Sequence, residues 1–459
     1  MEKQFALIDK YNAPVPRYTS YPPANHFHQD FTAGDYLKAV RESNTQSPEN
    51  ISVYIHIPYC NKLCHYCGCN ACPMPKHDEV AHYVASVKNE LNIVLDSLDK
   101  SRKLSQIHYG GGTPNAIPLH YLHEINHLIF EKFETIDQPE IAIECNPAYI
   151  ERADIDVLFD AGFNRFSFGV QDFDLKVLDN VNRDPSKMEI GELMAYVREK
   201  RPGTMINLDF IYGLSGQTVD SFLETIQKAI DLKPDRLVTF SYAHVPWVNK
   251  SQKILEKKGL PEQKEKLAMY YKSHELLKNS GYQPVGFDHY VLEHDELYKA
   301  YKNNELHRNF QGYCTRRTTG QVYAFGVSAI SQLEKVYSQN TKDNKKYIEF
   351  LGRNELPVEK GYALSEEEII IREVINKLLS NKFIDLEKTA EELKLSFEEL
   401  NEILKIDLEA IKEFERDGIL SFKANSVHVT DLGVLFIRNV AAALDPAYEI
   451  KENKYSRSL

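Results

Sequence analysis

Five of the seven cysteines of a 459-residue chain stand within the stretch HIPYCNKLCHYCGCNAC, residues 56 to 72: Cys60, Cys64, Cys67, Cys69 and Cys72. The first three follow the spacing C-x3-C-x2-C. Iron–sulfur cubes are held by cysteine thiolates, and three thiolates on one loop can take three corners of a [4Fe–4S] cluster, leaving the fourth iron without a local protein ligand. An open coordination position is a place for chemistry, as it is in catalytic rather than structural zinc sites. The competing reading is a tetrahedral zinc knuckle that adds Cys69 or Cys72 to the same three residues. Zinc sites more often pair C-x2-C units far apart in sequence. The setting here, directly after a strand and among Tyr54, Tyr59 and Tyr66, favours the cluster.

A second stretch, GGGTPN at 110–115, lacks the Cβ atoms that would keep a ligand away from the backbone. It is not G-x-G-x-x-G, and glycine-rich turns are common in α/β proteins. Its weight comes from Glu144 and Asp209, which fall at or near the ends of later strands. Carboxylates there can accept from an ammonium group and from ribose hydroxyls.

The elements that must position these residues are legible from periodicity. Apolar runs at 51–57, 104–110, 140–145, 165–170, 206–213 and 236–244 read as strands. Between them lie amphipathic stretches, such as 78–98, where Val80, Val84, Val87, Leu91 and Val94 recur at helical steps. Strand and helix alternating in this way imply a parallel sheet with right-handed crossovers, either doubly wound or barrel-like. Functional residue types at the end of one strand after another favour a full or partial barrel with a shared mouth. A doubly wound sheet would concentrate them at one switch point.

Length implies two or three domains at about 150 residues each. Residues 1–50, rich in Tyr and Pro, are expected to be irregular and to wrap the core, which spans 51–335. From 361 to 459 the pattern becomes helical, opening with a capping box from Ser365 to Glu368. Helices are expected near 384–395 and 397–415, then a hairpin in DGILSFKANSVHV and a last helix from Asp431. That layout resembles a winged helix. Acidic residues outnumber basic ones there, and the whole chain carries a net charge of −12. A phosphate backbone needs a cationic surface, so a lid or packing domain is the better reading and no nucleic-acid partner is expected.

No apolar run approaches the ~18 residues of a membrane span. The N-terminus lacks the pattern of a secretory signal, so a cytoplasmic location, reduced thiols and no membrane insertion are expected. Cys72 and Cys145 read as bystanders.

The combination of C-x3-C-x2-C after the first strand, a glycine run after the second and acidic residues at later strand ends resembles the radical S-adenosylmethionine (SAM) superfamily. PRYTSYP, YIHIPYCNKLCHYCGCN, HYGGGTP, GFNRFSFGVQDF, NLDFIYGL, HRNFQGY and GVSAIS are similar to the oxygen-independent coproporphyrinogen III oxidase family along nearly the whole chain. The resemblance implies an α/β fold, a radical SAM partial (β/α)6 barrel with an N-terminal wrapping segment and a C-terminal mostly helical domain. It implies a [4Fe–4S] cluster on Cys60, Cys64 and Cys67, and a non-ligand cysteine needed for activity at Cys69. It further implies one SAM on the cluster, against Tyr54, Tyr66, Gly111, Glu144 and Ile330. A second SAM would lie against Gly112, Thr113, Gln171, Arg183, Asp209 and Ala243. CNPA after Glu144 and GLSGQT after the fifth strand depart from the family's usual sequence without removing a ligand.

The implied activity is oxidative decarboxylation of two propionates of coproporphyrinogen III to vinyl groups, giving protoporphyrinogen IX in haem biosynthesis. A flavodoxin- or ferredoxin-type reductant and a monomeric enzyme are also implied. The tetra-anionic substrate needs local cations in so acidic a protein; Arg17 and Arg308, flanked by aromatics, are candidates, with pairing to acidic neighbours as the alternative role. A haem-carrying relative and a haem-ring-opening radical SAM enzyme are the rival readings. The former lacks the CGCN continuation and the PRYTSYP segment, both present here.

Overall fold

A computed structural model describes residues 2–448 apart from Ala13, Val248, Gln311, Arg316, Arg317 and Thr319. Its largest element is a twelve-stranded sheet. In chain order the strands are β1 (Ile51–Ile57), β2 (Leu104–Gly111), β3 (Thr135–Cys145), β4 (Arg165–Gln171), β5 (Met205–Tyr212), β6 (Arg236–Ser241), β7 (Gln283–Val285), β8 (His289–Val291), β9 (Gln321–Phe325), β10 (Ile330–Gln332), β11 (Val336–Asn340) and β12 (Val358–Ala363). β1 to β6 lie side by side in sequence order, each pair parallel.

That order decides between the two expected closures. Right-handed crossovers that always step in one direction put every connecting helix on one face of the sheet. The opposite face becomes the inside of a barrel. The barrel is partial, because β1 pairs outward with β9 and β6 pairs outward with β8 instead of with each other. Antiparallel β10, β11 and β12 extend the β9 edge as far as Ala363, past the residue-335 end expected for the core.

Strand alternation sorts the side chains. Ile51, Val53, Ile55 and Ile57 join the hydrophobic layer with Val80, Val84, Val87, Leu91 and Val94 of the helix His77–Leu95. Alternate residues carry a polar chain across neighbouring strands. Ser52 donates to Gln106 at 2.9 Å, Gln106 donates to Glu140 at 2.6 Å, and Arg165 pairs with the other Glu140 oxygen at 2.5 Å. Burial would raise the Glu140 carboxyl, but the Arg165 and Arg236 guanidiniums overcome it and hold the group down at about 2. At the start of β6, Arg236 forms a fully buried pair with Asp295 at 2.6 Å.

The N-terminal segment is less irregular than expected. It contains two ten-residue helices, Glu2–Tyr11 and Ala33–Glu42. The second opens on a Thr32–Asp35 capping box and buries Tyr36 and Val40 in the barrel layer. The first instead joins the C-terminal core through Leu7, Ile8 and Tyr11. Tyr18 and Tyr21 of PRYTSYP both donate to the Asp445 carboxylate, at 2.9 and 2.8 Å. The segment therefore wraps the C-terminal region as well as the barrel.

The C-terminal region begins with the expected capping box: Ser365 and Glu368 exchange hydrogen bonds of 2.8 and 3.1 Å at the head of helix Glu366–Asn381. The helix expected over 397–415 is two, Phe397–Leu404 and Leu408–Asp417. Lys405 adopts a left-handed conformation at φ 46°, and Asp407 caps the second helix by accepting from Ala410 N–H. A hairpin, Leu420–Lys423 and Ser426–Val429, pairs with Phe383–Asp385 to complete a small sheet. Residues 449–459 lie outside the described residues.

Candidate active site

The cysteine loop leaves the carboxyl end of β1. Tyr59–Cys60 pairs with Cys72–Pro73, and Cys72 N–H donates to Pro58 O at 2.8 Å, tying the two ends of the loop together. No disulfide joins any of the seven cysteines, all of which are among the described residues. Each of the three spaced thiols meets a polar group. Cys60 Sγ lies 3.3 Å from Thr113 Oγ1, Cys64 Sγ accepts from Arg183 at 3.6 Å, and Cys67 Sγ accepts from Cys69 N–H at 3.4 Å. Burial pushes the Cys60 thiol up to about 11, whereas the adjacent Cys69 brings Cys67 down to about 6. Among the described residues no three His, Cys, Asp or Glu side chains group tightly enough for a single metal ion.

A second segment, after β6, braces the loop from outside. Asn249 donates to Cys67 O at 2.6 Å, Ser251 to His65 O at 3.2 Å and Gln252 to Tyr66 O at 3.1 Å. Gln252 also donates to Ala243 O at 3.3 Å.

Below the loop, the strand ends make a polar floor. Glu144 Oε1 is 3.0 Å from His108 Nε2, and its side chain remains 48% exposed. His108 stacks on Tyr54, with ring centroids 6.0 Å apart. Tyr54 Oη lies 3.2 Å from His56 Nδ1, and His56 Nε2 lies 3.0 Å from Asn70 O in the cysteine loop. Burial lowers the His56 pKa and keeps the ring neutral. A carbonyl can only accept, so Nε2 carries the proton and Nδ1 accepts from Tyr54 O–H. Strand end and cysteine loop are thereby linked by two imidazoles and a phenol.

Two glycines are required by this arrangement. A Cβ at Gly110 would sit 2.8 Å from Glu144 Oε1, and one at Gly111 would sit 2.8 Å from the His56 ring. Gly111 also has φ +117°, a conformation that L side chains rarely adopt.

A profile of the radical SAM superfamily matches residues 54–229, and one of the HemN C-terminal domain matches 364–436. The chain is 36% identical to an oxygen-independent coproporphyrinogen III oxidase from Synechocystis, over 99% of this chain and 97% of the relative. It is 37% identical to the Escherichia coli enzyme of the same name, over 96% of this chain and 94% of that one. The solved structure of E. coli coproporphyrinogen III oxidase, HemN, described as a radical SAM enzyme, superposes with a TM-score of 0.87 at 34% identity, covering 97% of this chain and 99% of that chain. This chain belongs to the oxygen-independent coproporphyrinogen III oxidase family.

In this oxidase-family chain a second group of expected residues gathers around β4 and β5. Gln171 closes β4 at φ +70°, where the β4–β5 register shifts. Arg183 donates to Tyr66 Oη at 3.2 Å as well as to Cys64, and to Gly169 O. Asp209 accepts from Ser167 and from Asn207, each at 2.7 Å. Burial, aided by the Glu144 charge, lifts the Asp209 carboxyl to about 6 despite those bonds. Ile330 opens β10 and packs with Phe27, Tyr337 and Leu364.

Arg308 donates to Tyr18 O at 3.3 Å, and its guanidinium lies over the Phe287 and Tyr313 rings at 5.0 and 5.8 Å. The hydrogen bond places it beside Arg17 of PRYTSYP. Sequence reasoning did not single out Lys266 and Arg438, which share this neighbourhood. Burial and the Arg17 charge bring Lys266 down to about 8; burial with the Arg17 and Arg308 charges brings Arg438 down to about 10. Nothing in their local sequence marks them, because they come from two helices, Gln263–Asn279 and Ile437–Ala442, that meet only on folding. His56 and His108 were missed too. For these a signal exists: each alternates with buried neighbours along its strand and therefore faces the barrel interior.

Proposed function

We propose that this chain catalyses oxygen-independent oxidative decarboxylation of two propionate side chains of coproporphyrinogen III, giving protoporphyrinogen IX in haem biosynthesis. The observation that carries the reading is a family relationship over nearly the full length combined with a three-thiol loop above a floor of strand-end carboxylates. For each vinyl group formed, one hydrogen atom leaves the propionate β-carbon, carbon dioxide leaves, and one electron passes to an acceptor. A [4Fe–4S] cluster with SAM supplies, when bound, the radical that takes this hydrogen.

Cys60, Cys64 and Cys67 would hold three irons, and Cys69, beside them, would serve the reaction without ligating. Glu144 offers carboxylate oxygens to an ammonium group, and Gly110 and Gly111 leave room for it. Tyr54, Tyr66, Gly111 and Ile330 complete the first SAM site. Gly112, Thr113, Gln171, Arg183, Asp209 and Ala243 form the second, with Asp209 as acceptor for hydroxyl donors. Arg17 and Arg308 receive substrate carboxylates, supported by Lys266 and Arg438. Cations that depress one another's pKa are relieved by an anion, which favours a polycarboxylate there. The enzyme works as a monomer in the cytosol with a flavodoxin- or ferredoxin-type reductant. No helix among the described residues is long and apolar enough to cross a membrane.

Anaerobic reconstitution with iron and sulfide, followed by chromatography after incubation with coproporphyrinogen III and, in parallel, with haem, tests the reading. Stoichiometric protoporphyrinogen IX is expected. Conversion of haem alone, or a full cluster in a Cys60→Ala, Cys64→Ala, Cys67→Ala triple variant, would overturn it.

A further inference from the structure

The cluster must receive single electrons from outside, and the surface around its loop differs from the rest of the molecule. The chain carries a net charge of −12, yet residues 59–76 contain Lys62 and Lys76 with no Asp or Glu. The bracing segment 247–258 contains Lys250, Lys253, Lys257 and Lys258 against Glu256 alone. Glu256 is engaged with His244 at 2.8 Å. Lys250, Lys253, Lys257, Lys258 and Lys76 are all exposed. Three exposed large apolar side chains lie in the same two segments: Leu63 at 37%, Ile254 at 39% and Trp247 at 74%.

The two segments form one surface. Asn249, Ser251 and Gln252 bond the carbonyls of Cys67, His65 and Tyr66. A few apolar residues among cations is the composition of a transient docking patch, where charge steers the encounter and the apolar groups are desolvated.

We propose that the surface formed by Trp247, residues 249–258 and the outer side of the cysteine loop docks an acidic one-electron donor protein of the flavodoxin or ferredoxin kind. The proposal rests on the cluster assignment above. The donor occupies this face because electron transfer weakens steeply with distance, and this segment, whose lysines are exposed, bonds the backbone that carries the thiols. Lys253 and Lys257, one helical turn apart on Lys253–Lys258, supply charge at the rim. Lys62 is paired with Asp184 and Lys258 with Asn180 O, so those two cations also serve the fold.

The test uses reconstituted holoenzyme and reduced flavodoxin as the probe. A Lys253→Glu, Lys257→Glu double variant should bind flavodoxin about tenfold more weakly at low ionic strength, and the difference should shrink as salt screens the charges. Optical bleaching of the cluster by flavodoxin hydroquinone should slow in parallel, while bleaching and turnover with dithionite stay at wild-type rates. Unchanged flavodoxin affinity at low salt would overturn the docking site. Equal losses with dithionite would also overturn it, since the lysines would then act on the fold or the substrate. Because binding and bleaching are read without porphyrinogen, failure of the decarboxylase reading would appear separately, in the product assay.

Discussion

Replacing Glu144 by Ala should weaken SAM binding while leaving the protein folded. A lost charge-assisted hydrogen bond costs roughly 1.5–3 kcal/mol, or about ten- to a hundredfold in affinity. The side chain is 48% exposed and shared with His108, so solvent partly screens the bond and the lower end, about tenfold, is expected. Glu144→Gln should lose less, because the amide keeps one acceptor oxygen. Gly110→Ala approaches the same group from the opposite side. Its Cβ would lie 2.8 Å from Oε1, 3.1 Å from Cδ and 3.1 Å from Tyr54 Oη, too close unless the carboxylate swings away. Gly110 has no positive φ, so alanine suits its backbone and the thermal midpoint should hold. Gly111→Ala is the contrast: at φ +117° it should cost roughly 1–3 kcal/mol of stability. The assay is equilibrium SAM binding to anaerobically reconstituted protein beside a thermal melt. Normal SAM affinity in a well-folded Glu144→Ala protein would refute the reasoning, and parallel loss of melting temperature would make Glu144 a brace of the barrel.

Cys69→Ser should retain the full iron and sulfide content while product formation falls sharply; loss of iron would make Cys69 a ligand. Glu90 is 1% exposed and accepts from Tyr347 at 2.5 Å, Asn340 at 2.6 Å and Gly326 N–H at 2.9 Å, yet burial lifts its carboxyl from 4.5 to about 7. A raised carboxyl favours folding below the unfolded pKa and loses that contribution as pH rises through about 7. Denaturant melts should therefore show wild type losing up to about 3 kcal/mol between pH 5 and pH 8 that Glu90→Gln does not lose. Arg236→Met strands the fully buried Asp295 carboxylate and should cost roughly 3–5 kcal/mol in the same melts, with part recovered when Asp295 is also replaced by Asn.

Local chemistry made much of this protein legible in its sequence. Period-two and helical spacing located β1, β2, β4 and β5 to within one residue at each end, because each strand hides one face under a helix and its side chains must alternate; β3 starts at Thr135, five residues earlier than expected, and β6 ends at Ser241, three residues sooner. Ser365 and Glu368 announced a helix start because a capping box needs only neighbours three residues apart. The thiol spacing was legible for the same reason: all three cysteines share one loop. Sequence could not choose between open sheet and partial barrel by pattern alone, because only strand order puts the helices on one face or two. Nor could it break the helix at Lys405, whose left-handed turn depends on where Asp407 begins the next helix. The network from Glu144 through His108, Tyr54 and His56 to Asn70 joins three separate stretches of chain, and the cations Arg17, Lys266, Arg308 and Arg438 come from four. Such groups are far apart in sequence, and only tertiary packing brings their charges and hydrogen bonds within range of one another.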